Sequence, residues 1–257
     1  MSFREFYIDR SSDYFTSYAK AYTDLPFAVV LETHEGDFKA GRFLRASDLG
    51  DAAPNAEWKT VLFDAVSGRF VVPNGSIGFR WSGEGRWNLN LRDSATDSAV
   101  DPLLTFAASA GRWVRVHSPI FEVSGAGVRA GVVPVKEVQT PSGTVTVTTV
   151  FDLLAAHLGV RRKETDAHQE DYPTGYDDPR AFTPAWQEAI TGVPALDAIR
   201  VAREFAENAE KTRGKSMIFL GAGTNHWFHS DMIYRAILNL TTLCGCQGVN
   251  GGGWAHY

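Results

Sequence analysis

Residues 216–257 read SMIFLGAGTNHWFHSDMIYRAILNLTTLCGCQGVNGGGWAHY, and this stretch decides the fold class. Residues 216–220 form an apolar run too short for a helix and of the kind found in a buried parallel strand. Gly221-Ala222-Gly223 breaks the run, and a helix is predicted from about 226 to 243. Upstream, residues 194–211 predict a longer helix with Ile199, Ala202, Phe205 and Ala206 on one face. A shorter helix before it is opened by Thr183 as a cap and Pro184 at the first helical position, and stops at Gly192. Residues 183–257 therefore read helix, helix, strand, glycine turn, helix, an α/β layout with a parallel sheet.

Towards the N-terminus, residues 11–23 predict a helix capped by Ser11 or Ser12, with Tyr14, Phe15, Tyr18, Ala21 and Tyr22 as its apolar stripe. Pro26 ends it. Residues 27–31 and 39–44 then predict a hairpin about the turn Glu35-Gly36-Asp37. This gives a first segment, 1–45, assigned to the α/β core. From 46 to 135 the pattern changes: Gly, Asn, Ser and Pro interrupt short β-prone pieces such as Val61-Leu62-Phe63, Phe70-Val71-Val72 and Trp113-Val114-Arg115-Val116. The run 73–93, PNGSIGFRWSGEGRWNLNLRD, has little periodicity. Such a run needs another surface to lie on, so 73–93 reads as an insertion packed over a domain face or as a ligand-binding loop, and 46–135 as a whole is expected to be an irregular, β-rich insertion. The third segment, 136–257, contains a β-branched strand at 144–150, a helix at 151–158 ended by Gly159, a polar loop at 161–180 and the α/β part already described.

The chain has 257 residues, 44% of them hydrophobic and 21% charged, with a net charge of −5. That composition supports a packed core and argues against a broad electrostatic grip on nucleic acid or anionic lipid, though not against a local phosphate site. No apolar run approaches the roughly 18 residues of a membrane span, and Met1-Ser2-Phe3-Arg4-Glu5 carries no secretory pattern. A soluble, intracellular chain is expected. Its cysteines, Cys244 and Cys246, are too few for a disulfide framework or a four-cysteine metal site.

Chemistry has few places to sit. In the turn Gly221-Ala222-Gly223-Thr224-Asn225-His226, glycines let a backbone approach a ligand, and amides at a helix start attract phosphate. The dinucleotide fingerprint G-x-G-x-x-G fails at His226, and Leu243 and Cys244 stand where its acidic residue belongs. A structural turn and a site for another phosphate-bearing ligand both stay open. His226 and His229, with Asp231 near them, have metal-pair spacing but no evident third and fourth ligand. Cys244-Gly245-Cys246 reads either as a soft-metal or redox pair or as small residues packed beside a glycine cap. Gly251-Gly252-Gly253-Trp254 suggests a backbone that approaches something flat or phosphorylated, and the sequence looks cut just beyond it.

The run GAGTNHWFHSDMIYRAILNLTTLCGCQGVNGGGWAHY closely resembles the alpha, or catalytic, subunits of membrane-bound respiratory nitrate reductases, which are molybdopterin oxidoreductases. Arg4-Glu5-Phe6, Tyr22-Thr23-Asp24, Glu57-Trp58-Lys59-Thr60-Val61, PNGSIGFRW at 73–81, Thr183-Pro184-Ala185-Trp186 and Ala202-Arg203-Glu204-Phe205 resemble the same subunit in the same order. The resemblance implies a partial molybdopterin-oxidoreductase core with a Rossmann-like C-terminal part cradling cofactor. The activity it implies is reduction of nitrate to nitrite by oxygen-atom transfer at a bis-(molybdopterin guanine dinucleotide) molybdenum centre. Electrons would come from quinol through an iron–sulfur beta subunit and a haem-bearing membrane gamma subunit, at the cytoplasmic face of the cell membrane.

On this resemblance, Gly221, Gly223, Asn225 and His226 match a segment lying against the cofactor, and Gly251, Gly252, Gly253 and Trp254 a second glycine loop expected to line the same group. No catalytic or metal-ligating residue is assigned. The family's [4Fe–4S] ligand motif and its molybdenum-ligating aspartate match nothing here, so the chain is expected to be an internal slice, inactive alone. Two other functions stay open: a related chlorate or selenate reductase, and a stand-alone nucleotide-binding or assembly module without catalysis.

Overall fold

A computed structural model describes residues 3–4, 7–8, 12–74, 91–163 and 171–256. Glu5, Phe6 and Ser11, most of the 73–93 run including 75–81, and part of the 161–180 loop lie outside the described residues. In chain order the elements are α1 (Asp13–Tyr22), β1 (Ala28–His34), β2 (Asp37–Phe43), β3 (Leu62–Asp64), β4 (Arg69–Val71), β5 (Arg112–Glu122), β6 (Gly125–Thr140), β7 (Gly143–Thr149), α2 (Val150–His157), α3 (Pro184–Thr191), α4 (Ala195–Thr212), β8 (Met217–Leu220), α5 (Ser230–Leu243) and β9 (Gly253–His256). They form two compact units, Asp24–Ile190 and the pair Met1–Thr23 with Thr191–Tyr257. No helix among the described residues is long and apolar enough to cross a membrane.

In the first of these units, β1, β2, β5, β6 and β7 close into a barrel, all pairs antiparallel except β2 with β5. Glu35 and Gly36 join β1 to β2 with φ of 50° and 88°, the doubly left-handed turn whose twist matches that of the flanking strands. The interior is apolar and β-branched: Leu31, Val114, Val116, Val133 and Val135 form one cluster with Ala156, and Ala28, Leu44, Val61, Phe106, Val138 and Val147 form another. Thr149 caps α2 by accepting the Asp152 amide at 3.0 Å, and the buried guanidinium of Arg129 donates to the His157 carbonyl at the other end of that helix, a cation placed where the helix dipole favours one. The Tyr172 hydroxyl accepts the Val132 amide at 2.9 Å and so ties the following loop to the barrel.

The sequence-drawn breaks at 45/46 and 135/136 both fall inside this unit, the second within β6. Residues 46–135 are not all irregular: β5 and the first part of β6 are barrel wall. The helix α3 begins as expected, with the Thr183 hydroxyl accepting the Trp186 amide.

In the second unit, β8 and β9 pair in parallel, Met217 opposite Gly253 through to Leu220 opposite His256, with α5 between them. The strand at 216–220 is therefore parallel but not buried, since Met217 and Phe219 stand exposed in this chain. Helix α5 starts at Ser230 rather than 226, because His229 takes a left-handed φ of 60° and residues 222–226 make a separate 3-10 helix. Two tyrosines of the α1 stripe, together with Tyr7 ahead of that helix, have a second task. The Tyr7, Tyr14 and Tyr18 hydroxyls donate to the carbonyls of Leu243, Gly245 and Gln247, every other residue of the segment leaving α5. Burial pushes the Tyr14 phenol up to about 12, so these hydroxyls keep the protons that make the bonds.

Candidate functional site

The chain leaves the C-terminal end of β8 at Gly221 and turns at once into the 3-10 helix Ala222–His226. Ligands of parallel α/β sheets bind beyond the C-terminal strand ends, where loops diverge and helix-start amides point outward. Here that end carries an open depression of about 430 Å³ lined by Gly221, Gly223, Thr224, Trp227 and Ile233. A Cβ built on Gly223 would meet nothing within 4 Å, and its φ lies outside the left-handed region. Among the described residues nothing requires glycine at 223. The amides of Ala222 and Gly223 lead the 3-10 helix, which offers its first amides no acceptor of its own.

The second candidate segment sits elsewhere. Gly251, Gly252 and Gly253 enter β9 beside Met217, at the opposite strand end and roughly 10 Å along the strand from the turn. Their glycine character has causes inside the chain: a Cβ on Gly252 would lie 1.9 Å from the Gly214 carbonyl oxygen, and Gly251 and Gly253 both have φ of +87°. The Gly253 amide donates to the Ser216 carbonyl at 2.9 Å. Trp254 lies opposite Ile218 in the sheet, its ring 5.2 Å from that of Tyr234. Its indole Nε1 is buried and has no hydrogen-bond partner among the described residues.

The pairing of β8 with β9 thus brings Gly221, Gly223, Asn225 and His226 to one end and Gly251 to Gly253 to the other. It also brings in a residue that sequence reading missed. His256, the last residue of β9, has Nε2 at 3.1 Å from the Tyr234 hydroxyl and 3.3 Å from Asn225 Oδ1. The signal was the parallel strand itself, whose final residue must stand beside the turn leaving β8.

His226 closes the 3-10 helix and His229 the turn after it, and among the described residues no three His, Cys, Asp or Glu side chains are grouped to hold a metal ion. Cys244 and Cys246 are buried free thiols packed with Phe15, Ala206 and Ala209. Burial, with Cys246 adding to it, pushes the Cys244 thiol up to about 12. A neutral, buried thiol is a poor nucleophile. Iodoacetamide at pH 8 is therefore expected to leave both cysteines of the native chain unmodified by mass spectrometry and to modify both in urea; prompt native alkylation would contradict this packing.

Comparison with known proteins gives a consistent result. The profile of the family described as molybdopterin oxidoreductase matches residues 19–257. The chain is 48% identical to the respiratory nitrate reductase 1 alpha chain of Escherichia coli, with 99% of this chain and 21% of that protein aligned. It is 44% identical to the nitrate reductase alpha chain of Bacillus subtilis, over 99% of this chain and 20% of that protein. Identity to the nitrate reductase alpha subunit of Mycobacterium tuberculosis is also 44%, over 98% of this chain and 20% of that one. The chain spans about a fifth of the length of these relatives.

Proposed function

The chain belongs to the molybdopterin oxidoreductase family, and from that premise we propose that it forms a cofactor-facing part of the catalytic subunit of a respiratory nitrate reductase. In this reading nitrate is reduced to nitrite at a bis-(molybdopterin guanine dinucleotide) molybdenum centre. Electrons pass from quinol through a haem-bearing membrane subunit, an iron–sulfur subunit and a [4Fe–4S] cluster held by other parts of the catalytic subunit, on the cytoplasmic face of the membrane. When bound, the molybdenum–pterin group supplies the oxygen-transfer and redox chemistry, and the protein supplies position and electrostatics.

The observation that carries the reading is Gly223. It lies at the C-terminal end of two parallel strands, with open space where a side chain would be and no conformational need for glycine. A backbone that must let a large, phosphate-bearing group come close accounts for it. The amides of Ala222 and Gly223 would face the pterin or its phosphates. Asn225 and His226 would offer side-chain hydrogen bonds, with His256 holding Asn225 from the end of β9. Gly252 and Gly253 support the site from below, by letting β9 dock beside Ser216.

The test is Gly223→Val in the complete catalytic subunit. Its expected result is a folded polypeptide with molybdenum content near zero by mass spectrometry of the purified enzyme. A normal molybdenum content would remove this turn from the cofactor site.

A further inference from the structure

We propose that a groove on the barrel unit binds a compact oxyanion carrying two or more negative charges, a phosphate or polycarboxylate group. The groove has a volume of about 650 Å³, and Arg69 of β4, Arg112 of β5 and Lys136 and Glu137 of β6 are among its lining residues, together with Phe63 and Phe70. Three cations and one carboxylate thus share a concave space in a chain whose net charge is −5.

The cations differ in how they are held. Arg112 donates to Glu137 at 2.7 Å, and that carboxylate also accepts the Thr146 hydroxyl. Lys136 is half-buried, its ammonium 4.7 Å from the centre of the Phe63 ring and 5.4 Å from that of Phe106. Phe63, Phe70 and Phe106 pack edge to face, which fixes the wall on which that ammonium rests. Phenyl faces attract a cation but carry no net charge, so they hold Lys136 in place without neutralising it. Among the described residues neither Lys136 nor Arg69 makes an ion pair. Asp64 is the cross-strand neighbour of Arg69, and its buried carboxylate is committed to the amides of Val66, Ser67 and Asp101.

Fixed like charges along a low-dielectric concave wall focus the potential and draw in a counter-ion. A monoanion neutralises only part of this excess; a dianion matches the combined charge of Lys136 and Arg69, which line the same groove. Glu137 is the built-in competitor, since it already occupies Arg112.

Isothermal titration of the chain at low and moderate salt, with pyrophosphate, citrate and nitrate as probes, tests the proposal. Pyrophosphate or citrate is expected to bind with salt-sensitive affinity, and nitrate far more weakly. A preference between the first two identifies phosphate or carboxylate as the ligand chemistry. Lys136→Met, which keeps an apolar stem against the rings, is expected to weaken binding by about tenfold or more. Glu137→Gln, which frees Arg112, is expected to tighten it. Should Lys136→Met disturb the fold, Arg69→Gln on the exposed hairpin reads the same loss. No binding of either polyanion, or binding unchanged by these substitutions, would overturn the proposal.

Discussion

Gly252→Ala is expected to destabilise the unit that contains β8 and β9 by about 3 kcal/mol or more, the upper range for overpacking a site that cannot yield. The new methyl carbon would stand 1.9 Å from the Gly214 carbonyl oxygen and 3.0 Å from that of Cys246. Both obstacles are backbone, so no rotamer change relieves them. Gly214 cannot retreat, because its own Cβ position lies 2.4 Å from both the Gly245 carbonyl and the Tyr14 hydroxyl. Glycines 214, 245 and 252 thus form one node, locked from outside by the tyrosines of α1. The neighbouring positions provide the scale. Gly251 has a left-handed φ but nothing within 4 Å, so Gly251→Ala costs only the conformational strain, about 1–2 kcal/mol. Gly223 has neither constraint, and Gly223→Ala is expected to be close to neutral for stability. Urea unfolding of the three variants should rank them 252, 251, 223. A Gly252→Ala variant as stable as Gly223→Ala would show that the node is not built as described.

That ranking separates glycines which sequence reading treated alike, and the reason is general. Local signals were legible where one residue type has one dominant cause: Thr183 and Pro184 at the start of α3, Glu35-Gly36 in the first hairpin, and the β-branched run of β7 all fold as their chemistry dictates. The longest strand, β6, was not legible, because Gly125, Gly127, Gly131 and Pro134 break its pattern. One of those has a tertiary cause, since a Cβ on Gly131 would lie 2.8 Å from that of Ala156 on α2. A glycine that admits a helix looks, in sequence, like a glycine that ends a strand. Strand β9 was hidden in the same way, its four residues preceded by glycines that serve its docking. His256 followed it out of sight. In the candidate site, then, the turn after β8 was readable from a strand, two glycines and a helix pattern. What faces that turn depended on a pairing between residues more than thirty positions apart.

In the barrel unit the largest expected effect belongs to Asp152. Its side chain is fully buried, and each carboxylate oxygen is bonded twice. Oδ1 accepts Arg162 Nη1 at 2.6 Å and the Thr105 hydroxyl at 2.5 Å, while Oδ2 accepts the Phe106 amide at 3.0 Å and the Thr149 hydroxyl at 2.9 Å. One carboxylate therefore joins the start of α2, the segment entering β5 and the chain beyond α2. Asp152→Ala is expected to cost about 3–5 kcal/mol, because it takes the negative charge away from a buried guanidinium and deprives the Phe106 amide of its acceptor. Asp152→Asn keeps oxygen for one side of the network and should lose less. The decisive comparison is the pair Asp152→Ala with Arg162→Met. If the loss comes chiefly from stranding a buried charge, removing that charge as well recovers part of it, and the double variant is more stable than Asp152→Ala alone. Urea titration at pH 7 followed by circular dichroism gives the four free energies. Strict additivity of the two substitutions would mean that Asp152 acts only through its bonds to Thr105, Phe106 and Thr149, and that the ion pair contributes nothing to holding α2 on the barrel.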